Sequence, residues 1–225
     1  MKTINKLPFN INIIRILLIA FLFLITMASK GQVPKDTITI KHKFYKTTFN
    51  KKLLYPVKVE FWITKKSSSC TNKFSRTDNF TPDPTIPQYT NLDKNYNNSG
   101  YDRGHNCDAE DNICDFQGMN ESFYYSNMTP QSPLLNRGVW KTLEIYCRSL
   151  AASQDSIKVV CGSIGMLKIV NGLTIPKFCW KVIYIKKTKV KEFYLFLNNG
   201  IYISKDIKAY KVTQDYLQKL TGLKF

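Results

Sequence analysis

The chain predicts an α+β domain built around an antiparallel sheet, and three observations predict it. β-Branched and aromatic residues alternate between residues 38 and 64, three more apolar runs follow residue 156, and a helical repeat lies between the two groups. With 225 residues the chain is long enough for one domain with a real core.

At the amino terminus, Lys2, Lys6 and Arg15 precede an apolar run from Ile16 to Met27, then small and polar residues from Ala28 to Gln32. That order is that of a secretory leader, and about a dozen apolar residues is short for a membrane-spanning helix. The expectation is a leader over 1–31, cut between Ala28 and Gln32, and a single domain over 32–225. A secreted or periplasmic address, with no stable membrane association, goes with it.

Thr37–Lys41 and Val57–Thr64 read as one or two strands. Residues 65–100 are mostly Ser, Thr, Asn, Asp and Pro, a long connection of the kind that is functional or stapled, with Cys70 placed to hold it. From Asn136 no proline occurs until Pro176, and Val139, Leu143, Tyr146 and Leu150 form a stripe at helical spacing. Asn136, Trp140, Glu144 and Arg148 repeat every four residues on another face. In a regular helix Asn136 and Glu144 would lie about 80° apart and look into one site. Strands follow at Ile157–Cys161, Phe178–Ile185 and Glu192–Leu197, with polar turns at Lys186–Lys189 and Asn198–Gly200. Val212–Leu220 closes the chain as a helix, with Thr213 as N-cap and Gly222 as its stop.

The chain carries 33 basic and 16 acidic residues, a net +17. Without residues 1–31 it keeps 29 basic against 16 acidic residues, or +13. Such a charge concentrates polyanions in a salt-dependent way, and heparin, anionic lipid and nucleic acid would all respond. All six cysteines follow the leader, an even number that suggests disulfides with 15 possible full pairings. The closely spaced Cys107 and Cys114 are the first expected bridge. No Cys-x2-Cys pair occurs and the only histidines are His42 and His105, which argues against a zinc centre.

The segment from Tyr101 to Arg148 carries the chemistry. His105 follows Arg103 and Gly104, where glycine permits a tight turn or a close approach. A neutral imidazole can take a proton from water near neutral pH. Hydrolysis of a phosphodiester also needs its developing charge neutralised, which a hard cation with oxygen ligands can do. Asn136 offers an amide oxygen, Glu144 can act through water, and Arg103 and Arg148 can hold phosphate oxygens. The bland alternative is a solvated helix face on which Glu144 and Arg148 form a routine pair.

Asp102-Arg103-Gly104-His105, Ser126-Asn127 with Gln131, Leu135-Asn136-x-Gly138-x-Trp140-x-x-Leu143-Glu144, and Arg148 together resemble the DNA/RNA non-specific endonuclease family. Weaker likeness extends over most of residues 57–223. The resemblance implies a ββα-metal fold with the active-site helix packed on an antiparallel sheet. It also implies His105 as general base, Asn136 as direct ligand of one hydrated Mg²⁺ (Mn²⁺ being the other candidate), and Glu144 ordering metal-bound water. Asn127 would support the site or the substrate, and Arg103, Arg148 and Arg76 would hold the phosphate. DNA and RNA would be the substrates, cut to 5′-phosphorylated ends. Asp108, Glu110, Asp111 and Asp115, between His105 and Ser126, depart from the pattern.

The resulting expectation is a secreted, Mg²⁺-dependent endonuclease indifferent to the sugar. A basic exported protein that binds nucleic acid or another polyanion without cutting is the alternative. A nuclease toxin would share the chemistry of the first.

Overall fold

The computed structural model describes residues 36–68, 70–201 and 204–225. The expected leader over 1–31 lies outside the described residues. The chain divides into Pro34–Leu217, which carries the sheets, and a unit to which Gln218–Phe225 belong.

Alternation in Thr37–Lys41 (β1), Tyr45–Asn50 (β2) and Tyr55–Thr64 (β3) produces three antiparallel strands, where one or two were expected. Ser156–Val170 (β6), Leu173–Ile185 (β7) and Lys191–Leu197 (β8) complete a six-stranded sheet in the order β1-β2-β3-β6-β7-β8. The β6–β7 hairpin is much longer than the short runs suggested. Its turn is Asn171-Gly172, both at positive φ (49° and 79°), the backbone a two-residue hairpin requires. Asp102–His105 (β4) and Met128–Gln131 (β5) pair as a separate two-stranded ribbon.

The helix expected from Asn136 is regular only over Lys141–Gln154. Leu135–Trp140 is a wider π-type turn, broken at Gly138 (φ −101°, ψ −114°). The 80° relation between Asn136 and Glu144 therefore does not hold, because the helix is not continuous between them. Leu143, Cys147 and Ala151 bury against Val59, Phe61, Ile63, Ile157 and Val159, and Val139 belongs to the same core. A ribbon and one helix thus meet over the main sheet, the ββα arrangement on an antiparallel α+β core. Gln214–Thr221 forms the expected closing helix, with Thr213 Oγ1 accepting from the Tyr216 amide at 3.2 Å and Gly222 at φ 71° beyond its end. Among the described residues no helix is long and apolar enough to cross a membrane.

The expected Cys107–Cys114 bridge is corrected. Cys114 pairs with Cys70, 44 residues away, and ties the long connection to the segment after His105. Cys107 faces inward with no exposed surface, and its sulfur accepts from Asn112 Nδ2 at 3.3 Å. Cys107, Cys147, Cys161 and Cys179 are free and buried. Closing a loop of this length is worth about 4 kcal/mol in chain entropy. Cys70→Ser should accordingly lower stability by about 2–4 kcal/mol in urea unfolding. An unchanged midpoint would show that the loop is held by other contacts.

Candidate active site

His105 ends β4, and its backbone carbonyl accepts from Trp140 Nε1 at 3.1 Å, so the broken helix fixes it from one side. From the other side, Asn127 splints the chain just beyond it. Asn127 Oδ1 accepts from the Cys107 amide at 3.0 Å, while Nδ2 donates to the carbonyls of Cys107 (2.8 Å) and Ser122 (2.7 Å). The amide of Asn127 is fully used in this way and holds backbone.

The His105 ring lies between two phenylalanines that were not singled out in the sequence: Phe80 at 5.7 Å and Phe123 at 5.0 Å between ring centroids. Each carries an arginine on its face. Arg103 sits 5.3 Å over Phe80 and Arg76 sits 5.2 Å over Phe123. Arg103 is anchored there by Tyr125 (3.0 Å) and Asp93 (2.9 Å). Burial, helped by the Arg76 charge and opposed by Asp108, lowers the His105 pKa to about 4. The imidazole is therefore neutral at physiological pH. Its Nε2 is buried with no hydrogen-bond partner, leaving Nδ1 as the nitrogen able to meet a water.

Gly104 has a plainer reason than a turn. A Cβ there would fall 2.3 Å from Gln131 Oε1. Gly104 lies in an extended strand, and its missing side chain makes room for the neighbouring strand's glutamine.

Asp102 gains a role that the motif left open. Its carboxylate accepts from Arg137 Nε (2.8 Å) and Nη2 (2.7 Å) and from Asn136 Nδ2 (3.0 Å). Partial burial pushes this carboxyl up, but the hydrogen bonds from Arg137 and Asn136 outweigh it and hold the pKa below the usual carboxylate value. Because Asp102 takes the Nδ2 side of Asn136, the amide oxygen is turned away, and no described residue donates to it.

Glu144 and Arg148 lie one turn apart on the regular helix, within a buried charge network. Arg148 Nη1 binds Asp108 at 2.7 Å and Asp111 at 3.0 Å, so two of the four acids that departed from the motif hold this arginine. Arg76 reaches Asp108 at 3.7 Å. Burial pushes Asp111 up to about 7, with Asp108 adding to the shift. Burial, then Asp108, raises Glu144 well above the usual value, against the pull of Lys181. Lys181 is almost fully buried, 4.0 Å from Glu144 and 4.2 Å over the Trp140 ring. Burial alone would favour its neutral amine; Glu144 leads the groups that outweigh burial and keep it an ammonium. His105, Arg76, Arg148 and Glu144 thus gather around Asp108. Arg103 lies across Phe80 from the histidine, and Asn136 joins through Asp102.

Among the described residues no three His, Cys, Asp or Glu side chains form a metal cage. Of the candidates read from the sequence, the Asn136 amide oxygen has no donor among the described residues and the Glu144 carboxyl makes only its 4.0 Å contact with Lys181. They suit a hard, mostly hydrated cation. The undonated Asn136 oxygen is open to such a cation, and His105 Nδ1, not the buried Nε2, is the nitrogen left to meet a water.

A nuclease of Nostoc sp. is 32% identical over 179 residues, covering 73% of this chain and 65% of its own length. The mitochondrial nuclease EXOG of Xenopus laevis is 30% identical over 166 residues, covering 65% of this chain and 46% of its own length. The chain thus matches less than two thirds of either relative. A crystal structure of the EndoG/EndoGI complex superposes with a TM-score of 0.78 at 25% identity, over 87% of this chain and 88% of that one. The mitochondrial address of the Xenopus relative overturns the expected secreted or periplasmic one. A basic start and an apolar run suggested export from composition alone, and likeness to these nucleases does not carry export with it. The family model of the DNA/RNA non-specific endonucleases matches residues 26–225, and the chain belongs to that family.

Proposed function

We propose that the chain is a divalent-cation-dependent endonuclease that hydrolyses phosphodiester bonds in DNA and RNA and leaves 5′-phosphates. The observation that carries this reading is His105, neutral and partnerless at Nε2, between two phenylalanines that each hold an arginine. Nδ1 of His105 takes the proton of the attacking water. Arg103 and Arg76, on either side, hold non-bridging phosphate oxygens and favour charge build-up at phosphorus. Arg148 keeps Asp108 and Asp111 neutralised, so that the acids beside the site do not repel the phosphate. Asn136 would hold the cation directly and Glu144 would hold it through water, Mg²⁺ being the first candidate and Mn²⁺ the second. When bound, the cation neutralises the phosphate and eases departure of the leaving oxygen. Contacts confined to phosphate explain indifference to base and sugar.

Supercoiled plasmid and RNA, each incubated with the full chain and Mg²⁺ or excess chelator, test the reading. Cation-dependent loss of both substrates is expected. Retarded but uncut plasmid in every lane would move the assignment to polyanion binding without cleavage. Asp102→Ala should weaken the apparent cation affinity about 10–100-fold by freeing the Asn136 amide to rotate. Asn136→Ala should lose activity that raised Mg²⁺ restores in part. Cation titrations that superpose on the parent's would remove both residues from the cation site.

A further inference from the structure

The outer face of the main sheet holds a feature that the nuclease site does not use. Alternation along β3 buries Val59, Phe61 and Ile63 and turns Lys58, Glu60 and Trp62 outward. Trp62 is 43% exposed, whereas Trp140 and Trp180 have no exposed surface. Leaving so much indole in water is unfavourable by the same apolar-area argument that buries the other two. Lys158 of β6 sits directly across from Trp62 in register. Phe44, at the β1–β2 turn, is also exposed and carries the Lys43 ammonium 5.5 Å over its ring.

Trp62, Lys158, Glu60, Lys43 and Phe44 line a shallow groove of about 210 Å³, with Lys41 and Lys46 completing its basic rim. Glu60 is its one carboxylate, set among Lys58 (3.1 Å), Lys46 (3.9 Å) and Lys158. Asp115 binds Lys43 from outside the groove at 2.7 Å. Glu121, also outside it, accepts from the Lys43 backbone amide at 2.8 Å; among the lining residues themselves four lysines stand against the one carboxylate. A solvated sheet face explains the lysines, but not two exposed aromatic rings among them. Aromatic rings that stack with bases, set in a cationic groove that follows the backbone, recognise single-stranded nucleic acid.

We propose that this groove is a second contact for single-stranded segments of the polynucleotide, with Trp62 as the stacking platform and Lys46 and Lys158 on the phosphates. The proposal rests on the nuclease reading and adds to it a surface outside the catalytic residues. One continuous set of contacts joins the two regions: His42, in the groove wall, meets Asp83 at 3.0 Å, and Asp83 accepts from Ser126, beside Asn127.

The measurement is acrylamide quenching of tryptophan emission in the full chain, in chelator, with and without a thymidine oligonucleotide of about 16 nucleotides. Only Trp62 is open to the quencher, so the bound strand should lower the quenching slope several-fold. Fluorescence anisotropy of the labelled strand gives affinity in parallel. Trp62→Ala and Lys158→Glu should each weaken it about tenfold. Cleavage of a trinucleotide in Mg²⁺ should be unchanged in both variants. A strand that binds while Trp62 remains fully quenchable, or an affinity unmoved by either substitution, would overturn the proposal. So would absence of binding. In that case plasmid cleavage by the same preparation would leave the nuclease reading standing, and no cleavage would remove both.

Discussion

His105→Ala should lower turnover of plasmid DNA by about 10²–10⁴-fold while leaving nucleic-acid binding in chelator close to the parent's, because on the proposed reading it removes the proton acceptor and spares both flanking arginines. The pH dependence should carry the same signature. With the folded pKa near 4, the acid limb of kcat/KM falls well below the 6.5 of a free imidazole. Stability follows by linkage. A histidine whose folded pKa is depressed contributes stability that is present above about 6.5 and lost as pH falls towards 4, about 3 kcal/mol in all. The alanine variant should lose this slope in urea melts taken across that window. Turnover within a few-fold of the parent would remove His105 from the role of base, and an unchanged slope would show that its burial is not what depresses its proton affinity.

Lys181→Met should produce the largest loss of stability, about 3–5 kcal/mol near neutral pH, because it leaves Glu144 buried among acids without its cation. The sign of the pH dependence separates this from simple loss of packing. A carboxyl whose folded pKa is raised contributes its stability at low pH and loses it as pH rises. The variant's deficit should therefore shrink on acidification. Adding Glu144→Gln to Lys181→Met should recover most of the loss, since a neutral amide needs no ammonium. A single variant as stable as the parent, or a double variant no better than the single one, would mean that the ion pair does not hold this part of the core.

The parts of the fold legible in the sequence were those governed by periodicity. Alternation marked β3, an apolar run marked β8, the 4-3-4 stripe marked Leu143 on its helix, and Thr213 with Gly222 bounded the last helix. The β6–β7 hairpin was underestimated although its Asn171-Gly172 turn stood in plain view, because the residues before it (Met166, Leu167, Ile169) are apolar yet exposed and hid the alternation. The π-type turn at Gly138 was missed because a break in the hydrogen-bond ladder leaves the apolar spacing nearly intact. In the site, residue types announced themselves while partnerships did not. Nothing in the spacing said that Asp102 would orient Asn136, that Asp108 and Asp111 would take Arg148, or that Lys181, 37 residues beyond Glu144, would lie against it. Those pairings depend on which strand faces which helix, information carried by tertiary contact alone. The same holds for Cys70 and Cys114, whose meeting depends on the path of the long connection.

The four buried thiols have a practical consequence. Cys107, Cys147, Cys161 and Cys179 all lie in one core with the helix that carries Glu144, Cys147 on that helix itself. A thiol reagent can reach none of them until the protein opens around it, so the rate of labelling at each position reads the free energy of that local opening. Mass spectrometry of partly labelled chains would resolve the four sites in one experiment, without denaturant. Positions that label together would delimit a cooperative unit, and any that labels ahead of the others would mark where the core first comes apart.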